Sequence, residues 1–210
     1  MTYAQDQRLA FCAAALAAGP SAPTLCEGWT VADLTAHLYV RENDPVASLG
    51  IVVPSAKDLA ERRMDEALGR YGFEPLVAVV RNGPGKWSPF RLFDAQANTT
   101  EMFVHTEDVR RAADPVPPAR VLGRAFEDAL WKQLGLAKLT LRKSPVGVVL
   151  ERSDAAGTTL RAKGGDRTVT IVGLPSELTL FVAGRRQVAD VQLIGDPDAV
   201  SRLRAFTTSM

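Results

Sequence analysis

The run Pro115-Val116-Pro117-Pro118 separates two stretches of different periodicity. Proline fixes φ and lacks an N–H, so this run continues neither a helix nor a central strand. Upstream the pattern is helical. Residues 2–18 are Ala-rich, with Leu9, Cys12 and Leu16 at helical spacing, and Gly19-Pro20 ends the segment. Thr30 precedes Val31-Ala32-Asp33, an acidic capping box that opens a helix to about Glu42, with Val31, Leu34 and Leu38 on its apolar side. Residues 56–69 and 73–81 read as one helix broken at Tyr71-Gly72, and Asn82-Gly83-Pro84-Gly85 stops it. Ser88 caps a further helix, Pro89 takes its first position, and it runs to about Ala113. Four such helices with short connections suggest a four-helix bundle.

Downstream, residues 120–134 read as a helix anchored by Val121, Phe126, Leu130 and Trp131. Short β-rich runs follow at 146–150, 158–162, 168–172 and 188–194, each bounded by Gly, Asp or Pro. Residues 176–183 suggest a helix packed on the sheet, and Asp196-Pro197-Asp198 opens a last helix to Phe206. The expected fold is therefore a two-domain α+β chain, with a helical domain at 1–115 and a small α+β domain at 120–210.

Charge narrows the partners. Lys+Arg is 25 and Asp+Glu is 24, without a basic tract, which argues against nucleic acid. No apolar run approaches the ~18 residues of a membrane span. The start lacks a basic region followed by an apolar stretch, and the two cysteines, Cys12 and Cys26, are too few for a disulfide scaffold. A cytoplasmic location with reduced thiols is expected.

The chemistry centres on the two histidines, His37 and His105. Glu101 and His105 lie four apart on a helix and share a face, with Asp94 and Asp108 on the same stripe. A stripe of carboxylates facing a bundle interior is costly unless paired or bound to a cation. His37 sits beside Leu34 and Leu38, at the edge of an apolar face that can meet Glu101 and His105. Two His and one Glu form a common catalytic zinc shell with a fourth position open. The alternative is a locally bonded core histidine and a surface Glu–His pair.

Two blocks carry a family resemblance. Residues 24–38, Thr-Leu-Cys-Glu-Gly-Trp-Thr-Val-Ala-Asp-Leu-Thr-Ala-His-Leu, resemble the signature of the mycothiol-dependent maleylpyruvate isomerase N-terminal domain, a branch of the DinB-like metal-binding bundles. Residues 101–112, from Glu101 through His105 to Ala112, resemble that family's E-x-x-x-H segment. The resemblance covers about residues 3–113 and is nearer to an actinobacterial metal-binding subgroup than to the isomerase itself. It implies a divalent metal, zinc above others, on His37, Glu101 and His105. It also implies mycothiol as cosubstrate and an electrophilic small molecule as substrate, in an isomerase or a thiol transferase. Gly184-Arg185 and Gly195-Asp196 give the C-terminal part a looser likeness to a sterol-carrier-type α+β domain. A non-catalytic, metal-stabilised protein holding an apolar ligand there is the other reading. Arg41, one turn after His37, is a candidate for binding an anionic group, or a solvated side chain. Asp108 is a candidate partner for an imidazole N–H, or for Arg111. Arg185 and Arg186 are candidates to reach the site, or simply close a turn. Cys26 is a fourth ligand, a reactive thiol or an inert buried cysteine. Gly28 and Trp29 are expected to form a structural hinge, with Trp29 stapling the loop to the bundle, or else to contact a ligand.

Overall fold

The computed structural model describes residues 2–47, 57–85 and 90–206, with side chains for all of these except 90–97. The Ser88-Pro89 helix start and the Asp94 side chain fall outside the described residues. The chain forms two compact units, Met1–Pro117 and Pro118–Met210. Among the described residues no helix is long and apolar enough to cross a membrane.

The first unit is helical: α1 (Tyr3–Ala18), α2 (Val31–Asn43), α3 (Lys57–Tyr71), α4 (Phe73–Asn82) and α5 (Phe90–Arg110). Local chemistry sets the ends. The Thr2 hydroxyl accepts from Gln5 N–H, and Thr30 and Asp33 complete the capping box reciprocally. Gly72, at φ 71°, makes the break between α3 and α4. Helix α5 stops at Arg110 rather than near Ala113. The Asp108 carbonyl, which would accept from residue 112, accepts instead from Leu25 N–H at 3.1 Å.

Helix α1 packs on α5, α2 on α3, and both α1 and α2 touch α4. Phe11, Cys12, Leu34, Leu38, Val77, Val80 and Met102 form one core cluster, and Ala36, Val40, Met64 and Leu76 a second. The buried stripe of α1 runs through Ala4, Arg8, Phe11, Cys12 and Ala15. Leu16, expected on that face, lies off the stripe and is 53% exposed. Burial pushes the Cys12 thiol up to about 11, leaving roughly a hundredth of the thiolate of an unperturbed cysteine. Alkylation of the folded protein at about pH 8 is expected to spare Cys12, half-buried Cys26 being the accessible thiol. Peptide mapping that finds equal labelling of both before unfolding would contradict this.

The second unit holds α6 (Arg124–Gln133), short helical turns through 143, and strands β1 (Gly147–Arg152), β2 (Thr159–Lys163), β3 (Thr168–Gly173) and β4 (Gln192–Ile194). Helix α7 (Pro175–Val182) lies between β3 and β4 in sequence, and α8 (Pro197–Ala205) follows β4. The sheet order is β2-β1-β3-β4. β1 and β3 are parallel, with Val148 beside Val169 and Leu150 beside Ile171, and both outer pairings are antiparallel. These four side chains pack with Leu134, Leu141, Leu178, Phe181 and Leu203. Two expectations need correction. The first helix starts at Arg124, because Gly123 is still extended, and Val121 is exposed rather than an anchor. The last strand covers 192–194, because Val188 and Ala189 bond back to the Arg185 carbonyl in a turn. The α7 N-terminus is capped from another helix: Glu127 accepts from Ser176 N–H at 2.8 Å and from its hydroxyl at 2.9 Å.

Candidate metal centre

Helix periodicity places Asn98, Glu101, His105 and Asp108 along one stripe of α5, while α2 supplies His37 and, one turn on, Arg41. One atom, Glu101 Oε1, is the meeting point. It lies 3.2 Å from His105 Nε2, 3.6 Å from His37 Nε2 and 3.3 Å from Arg41 Nε. The imidazole rings stand edge to face with centroids 5.3 Å apart. His37, Glu101 and His105 each offer a ligand atom within 4.8 Å of the other two.

The far side of His105 is also fixed. Its Nδ1 lies 2.8 Å from Asp108 Oδ2, which also accepts from the Cys26 thiol at 3.3 Å. A carboxylate on one ring nitrogen orients the imidazole and leaves the other to face the site. The loop between α1 and α2 brings Cys26 and Trp29 in. Pro23 and Thr30 form a β-bridge, the Thr24 hydroxyl donates to the Trp29 carbonyl, and Leu25 N–H ties to Asp108. The Trp29 ring lies over His37 at 5.0 Å.

Burial opposes charge on all three residues. At His37 it prevails, the Glu101 carboxylate only partly offsets it, and the pKa falls, favouring the neutral ring that ligates metals. At Glu101 burial is outweighed by His105, His37 and Arg41, and the carboxyl stays ionised well below its usual range. At His105 burial is outweighed by Asp108, Cys26 and Glu101, and the pKa lies well above the ordinary histidine value. His37 is the anomaly. Among the described residues neither ring nitrogen has a hydrogen-bond partner although both are buried, and the 3.6 Å approach to Glu101 is too long for one. A buried unpaired polar atom costs roughly 1–3 kcal/mol. A cation between His37 Nε2, His105 Nε2 and Glu101 Oε1 would satisfy the Nε2 of His37, so the donor set fits a divalent ion.

Arg41 lies against Glu101 and donates to the Asn98 side-chain oxygen. Asp108 is on the imidazole of His105. Arg185 donates to the Ala183 carbonyl at 2.6 Å, and Arg186 stacks over Phe181 and Phe206, all within the second unit. Sequence reasoning missed Asn98, Glu42 and Arg8. Asn98 Nδ2 donates to Glu42 Oε1 at 3.3 Å, and Glu42 takes both terminal nitrogens of Arg8 at 2.6 Å. The available signal was Asn98 one turn before Glu101, and Arg8 one turn from Phe11 and Cys12.

No curated protein sequence matches the chain. Two solved structures are similar to it. One is the crystal structure of the mycothiol-dependent maleylpyruvate isomerase, with TM-score 0.51, 15% identity, and 91% of this chain and 90% of that chain covered. The other is a histidine-to-alanine variant of that enzyme, with TM-score 0.50 and the same identity and coverage. At this identity the likeness is one of fold. The sequence match is independent of it: residues 3–128 match the mycothiol maleylpyruvate isomerase N-terminal domain, a span that contains all three converging side chains, and the chain belongs to that family.

Proposed function

We propose that His37, Glu101 and His105 hold a divalent metal ion, zinc by the chemistry of the donors, and that the chain is an enzyme using a low-molecular-weight thiol, mycothiol, in isomerisation or thiol transfer. The observation that carries this reading is the buried, unpartnered imidazole of His37 facing Glu101 and His105. The thiol comes from the family and from the similar solved enzyme, whose description names mycothiol and maleylpyruvate. The helical unit is read as a DinB-like bundle and the second unit as a sterol-carrier-like domain.

Bound there, a divalent ion supplies positive charge that favours thiolate over thiol. The chain's residues prepare the place. His37 is neutral and needs no deprotonation. Asp108 fixes the His105 ring, so Nε2 faces Glu101. Cys26 stands with Asp108 on the Nδ1 side, so among the described residues three ligating side chains rather than four meet at Nε2. That favours a centre with an exchangeable position over a closed structural site, and the enzyme over the non-catalytic binding protein.

The test is metal uptake against pH. The site carboxylates favour a proton on His105, and proton and metal compete for Nε2. The sign follows: below the raised pKa of His105 the proton is present and must leave, so uptake weakens as pH falls, by roughly tenfold per unit for one displaced proton. Titration with zinc in weakly buffered solution is expected to release that proton. Tight uptake unaffected by pH would contradict the assignment, as would purified protein that takes up no metal.

A further inference from the structure

The Arg8–Glu42 pair, like the Arg111–Glu107 pair, is buried in the helical unit. Its side chains are 1% and 0% exposed, and Arg8 also donates to the Val80 carbonyl at 3.0 Å. Burying two charges repays its desolvation cost poorly, and an apolar pair of similar volume often stabilises a core as well or better. What the pair does that an apolar pair cannot is orient a polar neighbour. Glu42 Oε1 accepts from the Asn98 amide N–H. Asn98 is 1% exposed, and its amide oxygen accepts from Arg41 Nη1. Arg41 Nε rests on Glu101 Oε1. The order of groups is guanidinium, carboxylate, amide, guanidinium, carboxylate, so each acceptor meets a donor. A side-chain amide can donate to a carboxylate from its nitrogen and accept from a guanidinium at its oxygen, which a purely apolar or a purely charged side chain cannot do.

We propose that Arg8, Glu42, Asn98 and Arg41 are positioning residues that fix Glu101 as a metal ligand. The inference rests on the metal reading above. The chain spans three helices: α1 supplies Arg8, α2 supplies Glu42 and Arg41, and α5 supplies Asn98 and Glu101. Arg41 holds the carboxylate by one oxygen toward His37 and His105, Asn98 accepts from Arg41, and Glu42 in turn holds the Asn98 amide. Without them Glu101 keeps its place on α5 but loses its fixed rotamer.

The experiment compares wild type with Asn98→Ala, Asn98→Asp and the double variant Arg8→Met/Glu42→Met. Zinc affinity is measured by chelator competition, and the cobalt(II)-loaded proteins are examined by visible absorption. Each variant is expected to bind zinc about 10–100-fold more weakly, the usual cost of removing a group that orients a metal ligand. The cobalt bands are expected to shift or lose intensity, a change that a stability effect alone does not produce. Asn98→Asp is expected to fare no better than Asn98→Ala, because a second carboxylate faces Glu42. Wild-type affinity and spectrum in the Asn98 variants would overturn the proposal. Should the double variant fail to fold, the Asn98 variants decide. A wild type that binds neither ion overturns the metal reading and this inference with it, whereas tight wild-type binding unaltered in the variants overturns this inference alone.

Discussion

Purified His105→Ala protein is expected to bind zinc more than about 100-fold more weakly than wild type, exceeding the usual effect of changing a residue that merely orients a ligand. The substitution removes one of three donors and the imidazole that holds Asp108 and Glu101 apart. Two carboxylates and a thiol then face each other without the cation between them. His37→Ala and Glu101→Ala are expected to lose metal to a similar degree, but for different reasons. His37→Ala removes a metal ligand that makes no hydrogen bond with a described residue, so its folding stability should change least. Glu101→Ala removes a carboxylate from beside Arg41. The check is elemental analysis after gel filtration, with circular dichroism as the folding control. Full metal occupancy in His105→Ala protein would show that the ion, if bound, sits elsewhere.

Arg8→Ala is expected to destabilise the helical unit by about 3–5 kcal/mol, the usual cost of leaving one partner of a buried ion pair alone. Glu42, which also accepts from the Asn98 amide, would lose its Arg8 guanidinium, and the Val80 carbonyl would lose a donor. Glu42→Ala takes the carboxylate away from a buried guanidinium and should cost a similar amount. Arg8→Met/Glu42→Met removes both charges and keeps volume, so it should be more stable than either single variant. Urea unfolding of the four proteins measures this order of stability. A double variant less stable than either single variant would mean that the pair is not a unit.

The local features of this fold were legible in the sequence because short-range chemistry sets them. The Thr30–Asp33 box and the Gly72 break depend on a few neighbouring residues. Glu101 and His105 were legible as a pair for the same reason, since i,i+4 geometry is built into the helix. What was hidden depends on distant partners. Arg8 reads as a surface cation until Glu42, 34 residues away, neutralises it in the core. The end of α5 depends on Leu25, which claims a carbonyl the helix would otherwise use. Leu16 and Val121 were misread in the opposite sense, because an apolar side chain does not specify which face of a helix meets a neighbour. Asp108 had two plausible partners in sequence, and His105 at 2.8 Å is one of them.

The order β2-β1-β3-β4 puts the shorter strands outside. β2 carries Arg161 and Lys163, and β4 is three residues long with Pro197 soon after it. Charged side chains and brevity at a sheet's margin discourage strand addition by another molecule. The two apolar strands most able to template such growth, β1 and β3, are paired on both sides. The second unit is thereby guarded against edge-to-edge aggregation while its sheet remains open.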